Sequence, residues 1–257
     1  MDSQSGVQSL DRAFGLLETL SLHPDGMQLT ELTQVAGLHK STIHRLLASL
    51  IKLGYVKKAE DSGRYRLSLK LVELSGRIVD SMDVLRVSGK FLDRLRDQVQ
   101  ETVHLVVREG VDILYTYKAE SLSSSYRMAS RVGMRRALYC TAAGKSILAT
   151  MPDTEVAAIW AKSDIQAITP HTIVNLECLM EELAQVRRLG YALDNEENEL
   201  GVRCIGAAIS DYTGIGSAAF SVSAPVVRMS DQRVAALAAE VLAIRKQISG
   251  ELGYRGK

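Results

Sequence analysis

The stretch GLHKSTIHRLLASL, residues 37–50, decides the fold of the first part of the chain. Its apolar residues recur at three- and four-residue steps and continue to Leu53, which predicts a helix with one buried face. The first turns carry hydrogen-bond donors and positive charge, although a helix N-terminus favours anions. These polar residues are His39, Lys40, Ser41, Thr42, His44 and Arg45. The pattern indicates a partner that supplies negative charge, with a merely solvated basic face as the alternative.

Two short helices are predicted before this one. Residues 9–20 have helical spacing with Ser9 as the expected N-cap, and Thr30 opens a second helix that Gly37 ends. The second helix and the basic helix then meet through a tight turn. This arrangement is the helix-turn-helix layout, in which the later of the two helices, here the basic one, enters the major groove of DNA.

A short β-hairpin is predicted after the basic helix. Residues 54–58 and 64–67 have strand character, and the turn between them is centred on Ser62. A hairpin in this place is a wing. Its basic residues Lys57, Lys58 and Arg64 are placed to contact phosphates beside the groove.

The distribution of charge agrees with this interpretation. The chain has a net charge of only +1, yet residues 39–70 hold eight basic residues against two acidic ones. Because phosphate contacts dominate the affinity of DNA-binding proteins, a local excess of this size favours double-stranded DNA as the partner.

The composition of the 257 residues is typical of a globular protein, with 46% hydrophobic and 24% charged residues. We expect no membrane span, because no run of 18 apolar residues occurs, and no secretory signal is visible. The three widely spaced cysteines argue against disulfides and against a cysteine-based zinc site. These features predict a cytoplasmic protein without a cofactor.

The second part of the chain predicts an α+β fold. Residues 69–82 read as a connecting helix between a DNA-binding domain, 1–68, and a second domain, 83–257. Short alternating segments from residue 102 onward predict antiparallel hairpins, including a strand within 124–133, and helices are interspersed among them. A long helix over 230–252 ends the domain.

Polar residues inside this second domain suggest a pocket. Ser221 and Ser223 are two apart on a strand and therefore face the same side. Both hydroxyls could instead bond to backbone or water. Cys204 could equally be a small buried residue, and Asp194 a solvated turn residue. A helix is predicted to begin with small residues, which would allow a ligand to approach its backbone N–H groups. These residues are Thr141, Ala142, Ala143 and Gly144.

Five stretches together resemble the IclR family of bacterial transcription regulators, over about residues 8–254. They are AGLHKSTIHRLLASLIKLGYVKK, GRYRLSLKLVELSG, LYCTAAGKSILA, RRLGYALDNEENELGVRCIGAAISD and SAAFSVSAPVVRMS. The resemblance implies a winged helix-turn-helix, a connecting helix and a GAF-like effector-binding domain with an antiparallel sheet flanked by helices. It also implies homodimers or homotetramers acting on catabolic operons, with a repressor as the expectation. One departure is His39, where many relatives have Asn, Ser or Pro; His39 is therefore a candidate for DNA contact.

The resemblance further implies that a small carboxylate or sugar acid binds among Asp194, Cys204, Ser221 and Ser223. The backbone from Ala142 to Gly144 would hold its anionic group, and Lys145 is a weaker candidate for neutralising it. The stretch ALDNEENELGVRC is most similar to the branch of the family that controls sugar-acid or rare-sugar use.

Three alternative functions remain at this stage. An enzyme would need a nucleophile and a base, and nothing in the sequence brings such a pair together. The candidates would be Cys140, Cys204, His104 and His171. A metal site could combine His104 with the acidic run DNEENE, and a third alternative is a DNA-binding oligomer without an effector.

Overall fold

The computed structural model describes residues 7–80, 83–121, 128–214 and 216–255. The chain divides into two compact units, Met1–Ser81 and Met82–Lys257. Within the described ranges, none of the helices combines the length and the apolar character that crossing a bilayer requires.

The first unit is a winged helix-turn-helix, as predicted. Its elements are α1 (Gln8–Ser21), α2 (Leu29–Ala36), α3 (Lys40–Lys52), β1 (Val56–Lys58), β2 (Tyr65–Leu67) and α4 (Lys70–Asp80). The apolar faces of α1, α2 and α3 enclose a small core with Leu16, Leu32 and Leu47 at its centre. The left-handed conformation of Gly37 (φ +61°) ends α2 and sets the tight turn into α3.

Two details of this unit differ from the sequence prediction. α1 begins at Gln8 rather than after a Ser9 cap, and Val7 occupies the N-cap position. Leu53, expected on the buried stripe of α3, is 55% exposed because α3 ends at Lys52.

The second unit is an α+β domain built on one antiparallel sheet. Its elements are α5 (Asp83–Val99), β3 (Thr102–Glu109), β4 (Asp112–Ala119), β5 (Arg135–Ala137), α6 (Ala142–Leu148), α7 (Asp153–Lys162), α8 (Leu176–Leu189), β6 (Ala192–Asn195), β7 (Val202–Ile209), β8 (Ala218–Pro225) and α9 (Asp231–Glu251). The six strands run in the order β5-β4-β3-β8-β7-β6. One face packs on α5 and α9, and the other on α6, α7 and α8.

The strand predicted within residues 124–133 is wrong where it can be compared. Residues 124–127 lie outside the described residues, and residues 128–133 are irregular. Gly133 adopts φ +85°, a conformation that bends the backbone, and the strand begins only at Arg135. The irregular segment runs along the sheet and contributes Met128 and Ser130 to the cavity described below.

Candidate functional site

The first candidate site is the exposed side of α3. His39 is the N-cap residue of α3, in extended conformation, and its side chain makes no capping hydrogen bond. Lys40, Ser41, His44 and Arg45 follow it and are exposed to solvent. Thr42, which was predicted with them, is half-buried. The free end of a helix therefore presents several donors together.

The cations of this unit are largely without acidic partners. Among the described residues, Lys40, Arg45, Lys57 and Arg66 form no ion pair and no side-chain hydrogen bond. Lys57 and Arg66 also lie directly opposite each other on β1 and β2, and both are exposed. Like charges placed opposite each other destabilise a hairpin, so this pair costs stability until an anion lies beside it.

Two further residues of the wing have intramolecular contacts. Lys58 Nζ lies 5.5 Å from the centre of the Tyr65 ring, a cation–π distance. Arg64 Nη1 donates to the Gly26 carbonyl at 2.7 Å and reaches the Glu31 carboxylate at 3.3 Å. This geometry departs from the predicted phosphate contact, because the Arg64 guanidinium ties the wing to the start of α2.

The second candidate site is a polar cavity between the sheet and the start of α6. The strand register brings its residues into adjacent rows. Asp194 pairs with Cys204, and Cys204 pairs with Ser223. In the next row Ser221 lies opposite His104. Residues from both ends of the second unit thus meet on one face of the sheet.

His104 is a buried member of this cavity that the sequence had suggested only as a base or a metal ligand. Its Nε2 lies 2.8 Å from Ser130 Oγ, and its Nδ1 lies 3.4 Å from Ser223 Oγ. Burial, assisted by the charge of Lys118, lowers the pKa of His104 to about 3. The imidazole is therefore neutral and offers one donor and one acceptor to its surroundings.

Asp194 is also buried, and its carboxylate closes the turn after β6. Its Oδ1 accepts hydrogen bonds from Glu197 N at 2.8 Å and Asn198 N at 3.3 Å. Burial, followed by the charge of Glu197, raises the pKa of Asp194 to about 7. Asp194 is therefore not the solvated turn residue that the sequence left open as an alternative.

The start of α6 approaches the sheet closely. Thr141 caps the helix by accepting from Gly144 N at 3.1 Å. A Cβ atom on Gly206 of β7 would lie 2.9 Å from Ala143 N, so glycine is needed there for the helix to reach the strand. Ala142 and Ala143 line the cavity.

Gly144, predicted to face the ligand, does not line the cavity. Its N–H is engaged by Thr141, and a Cβ atom at this position would overlap the Leu138 carbonyl oxygen. Gly144 is thus required for packing. Lys145 is fully buried and points away from the cavity, to Glu197 and Glu182.

The cavity itself is small, with a volume of about 30 Å³. The Met128 side chain closes it by packing on Ala142, Val202 and Cys204. Such a volume holds a water-sized occupant, so a larger ligand requires some of the lining side chains to move. Besides His104, sequence reasoning missed several lining residues for which no local pattern exists; they are Tyr115, Met128, Ser130, Asn198, Glu199 and Val202.

The geometry gives little support to a cysteine nucleophile or a metal site. Burial raises the pKa of the Cys140 thiol to about 12 and that of Cys204 well above its ordinary value, so both thiols stay protonated. Within the part of the chain that the structure describes, three or more His, Cys, Asp or Glu side chains are nowhere arranged to hold a metal ion.

Comparison with known proteins identifies the class. Residues 76–250 match the family described as bacterial transcriptional regulator IclR C-terminal, and residues 9–60 match the IclR helix-turn-helix domain. The chain is 36% identical to the HTH-type transcriptional regulator KdgR of Escherichia coli over 99% of its own length and 96% of that protein. It is 35% identical to the DNA-binding transcriptional repressor YiaJ of the same organism, over 97% and 89%.

A solved structure agrees. The crystal structure of the Thermotoga maritima IclR superposes with a TM-score of 0.85 at 31% identity, covering 96% of this chain and 99% of that one. The winged helix-turn-helix, the matching family models and the named relatives together define a DNA-binding transcriptional regulator. The chain belongs to the IclR family of bacterial transcriptional regulators.

Proposed function

We propose that this regulator is a cytoplasmic repressor of a catabolic operon, released from its operator by a small carboxylate or sugar acid. The observation that carries the proposal is the buried polar cavity in the second unit. The repressor sense is supported by the relative that is named a transcriptional repressor.

The proposed DNA contacts are those of α3 and the wing. His39, Lys40, Ser41, His44 and Arg45 would enter the major groove, with Thr42 at the edge of this face, and Lys57 and Lys58 would contact phosphates. Their exposure and the lack of acidic partners within the described residues support this role. Arg64 is left out of this set because Glu31 and Gly26 engage it.

The proposed effector site is lined by Asp194, Cys204, Ser221, Ser223 and Thr141, with the backbone of Ala142 and Ala143 beside them. Hydroxyls, a neutral imidazole and backbone N–H groups suit a ligand that carries a carboxylate and further hydroxyls. Lys145 is already paired with carboxylates, so the anionic group would be held by hydrogen bonds instead of a free cation.

The proposed mechanism is a population shift. A homodimer, alone or paired into a homotetramer, would place two α3 helices in successive major grooves of a palindromic operator. Effector binding would favour an arrangement in which the two α3 helices no longer match that spacing. We propose residues 69–82, which include α4, as the connection between residues 1–68 and 83–257.

Two measurements test this proposal. The first selects bound sequences from random DNA, and the expected product is a palindrome. The second is a thermal-shift screen of sugar acids and 2-oxo acids, followed by DNA binding with each compound that stabilises the chain. A compound that raises the melting temperature and weakens operator binding supports the proposal. A chain that binds its palindrome unchanged with every compound favours the effector-independent oligomer.

A further inference from the structure

A buried group of charges lies beside the cavity, and we call it the carboxyl cluster. It contains Lys145 of α6, Glu182 of α8, and Asp194 and Glu197 at the end of β6. Lys145 Nζ lies 2.5 Å from Glu197 Oε1 and 3.2 Å from Glu182 Oε1. The Lys145 side chain is only 1% exposed, so solvent does not screen these contacts.

The cluster is connected directly to the cavity. Glu197 N donates to Asp194 Oδ1, so the residue that binds Lys145 through its side chain also binds Asp194 through its backbone. Asn198, the next residue, lines the cavity. Lys145 is therefore a positioning residue for the turn that presents Asp194 and Asn198.

The charges of the cluster do not balance. One ammonium group faces three carboxyl groups, and two of these carboxyls are buried. Apart from Lys145, the groups near Asp194 from other elements add no positive charge: Cys204 on β7, Tyr115 on β4, His104 on β3 and Cys140 before α6 are neutral, and Glu199 in the same turn is acidic. Arg136 is partly exposed, and its charge acts on Tyr115 and Cys140.

A second observation points to the same imbalance. Among the described side chains, Glu197 Oε2 and Asn198 Oδ1 are buried acceptors without a hydrogen-bond partner. Buried acceptors are normally satisfied, so this turn lacks donors. A proton on one of the carboxyl groups is the simplest addition that both supplies a donor and reduces the negative charge.

We propose that the carboxyl cluster holds one proton on Asp194 near neutral pH, and that an anionic effector binds with this protonated carboxyl as a hydrogen-bond donor. The proposal rests on the proposed function for the identity of the ligand, but not for the proton itself. When Asp194 is ionised, the protein must take up a proton on this carboxyl as an anionic effector binds.

The direction of the pH dependence follows. The pKa of Asp194 is raised above its ordinary value, so its contribution to folding is complete under acidic conditions and is lost as the pH rises through about 7. The affinity for a carboxylate falls in the same direction, by up to about tenfold per pH unit above that point.

The test uses the ligand-free full chain. We expect the melting temperature of the wild type to fall by about 4 °C, relative to the Asp194→Asn variant, between about pH 6 and pH 8. Asparagine keeps the acceptor oxygen and cannot ionise. If the melting temperatures of the two proteins changed in parallel across this pH range, the proposal would be overturned.

A second pair of variants keeps the test valid if Asp194→Asn does not fold. Glu182→Gln removes one repelling charge at the edge of the cluster, so the remaining carboxyl groups ionise more easily and the fall in melting temperature should move to lower pH values than in the wild type. Glu181→Gln, on the same helix but exposed, should leave the pH at which the melting temperature falls unchanged. Identical curves for the two variants would contradict the proposed cluster.

A third variant separates positioning from simple packing. Lys145→Met removes the ammonium group, and we expect a larger loss of melting temperature at about pH 8 than at about pH 6, because the carboxyl groups become protonated at the lower value. An equal loss at both would show that Lys145 acts only by packing.

The ligand arm uses pyruvate and D-gluconate as probes. For a probe that binds, wild-type affinity should fall from about pH 6 to pH 8, while the affinity of Asp194→Asn stays level. If neither probe binds but the ligand-free curves behave as expected, the proton on Asp194 stands and the proposed effector class is what fails.

Discussion

The two units treat polar side chains in opposite ways. On α3 and the wing, Arg45, Lys57 and Arg66 are exposed and without acidic partners among the described residues. In the second unit, His104 and Asp194 are buried, and neighbouring groups already bind them. The exposed set is ready for a large, external polyanion. The buried set suits a small ligand that must replace existing contacts, which favours selectivity over strength.

The largest expected effect concerns Gly144, which does not line the cavity but is needed for α6 to pack beside it. Gly144→Ala should lower the free energy of unfolding by about 3 kcal/mol, because the new methyl group overlaps the Leu138 carbonyl. Gly89→Ala on α5 is the matched control, since a Cβ atom there meets nothing within 4 Å. Chemical denaturation measures both. A fully stable Gly144→Ala variant would contradict the packing role assigned to Gly144.

The next effect concerns the exposed set alone. Arg45→Ala should weaken operator binding by about 10- to 100-fold, through loss of a base or phosphate contact. It should leave effector-induced thermal stabilisation unchanged, because Arg45 belongs to the first unit. Arg94→Ala, an exposed arginine on α5, is the control. Equal losses in both variants would mean that DNA binding follows total charge rather than the α3 face.

The matching change in the buried set is Ser223→Ala. The hydroxyl lies between His104 and Cys204, so its removal leaves both polar groups with fewer partners and the ligand with one fewer donor. We expect about tenfold weaker effector binding and unchanged affinity for DNA without effector. Ser163→Ala at the end of α7 is the control. Calorimetry with the effector found in the screen measures the change, and normal affinity would remove Ser223 from the site.

The smallest effects separate two basic residues of the wing. Lys57→Ala should weaken DNA binding a few-fold for every sequence and lower the salt slope by about one unit. Arg64→Ala should leave the slope nearly unchanged and lower stability by at most about 1 kcal/mol, because its partly exposed pair with Glu31 is screened. A change in sequence preference on replacing Lys57 would contradict the wing contact.

The sequence predicts the exposed set well because its signals are local. The spacing of Ile43, Leu47 and Leu50 fixes which side of α3 is buried, and the opposite side follows from it. The tertiary contact of Arg64 with Glu31 cannot be seen at this level. These two residues are far apart in the chain, and no local sequence pattern indicates that they pair.

The cavity could be predicted only in part. Alternation along β8 correctly puts Ser221 and Ser223 on one side, but their neighbour His104 depends on the register between β3 and β8. The roles of Gly144 and Lys145 were missed for a related reason. A glycine needed for packing and a buried lysine look the same in sequence as a ligand contact and a solvated charge.

The opposed cations of the wing, Lys57 and Arg66, have a consequence for how the regulator responds to ionic strength. Counterions shield the two cations from each other in the free hairpin, so added salt makes the unbound wing easier to fold. The same ions compete with it for phosphates. Added salt therefore stabilises the free wing and also makes its binding to DNA less favourable. The occupancy of the DNA site should depend on salt more steeply than the phosphate contacts alone would give.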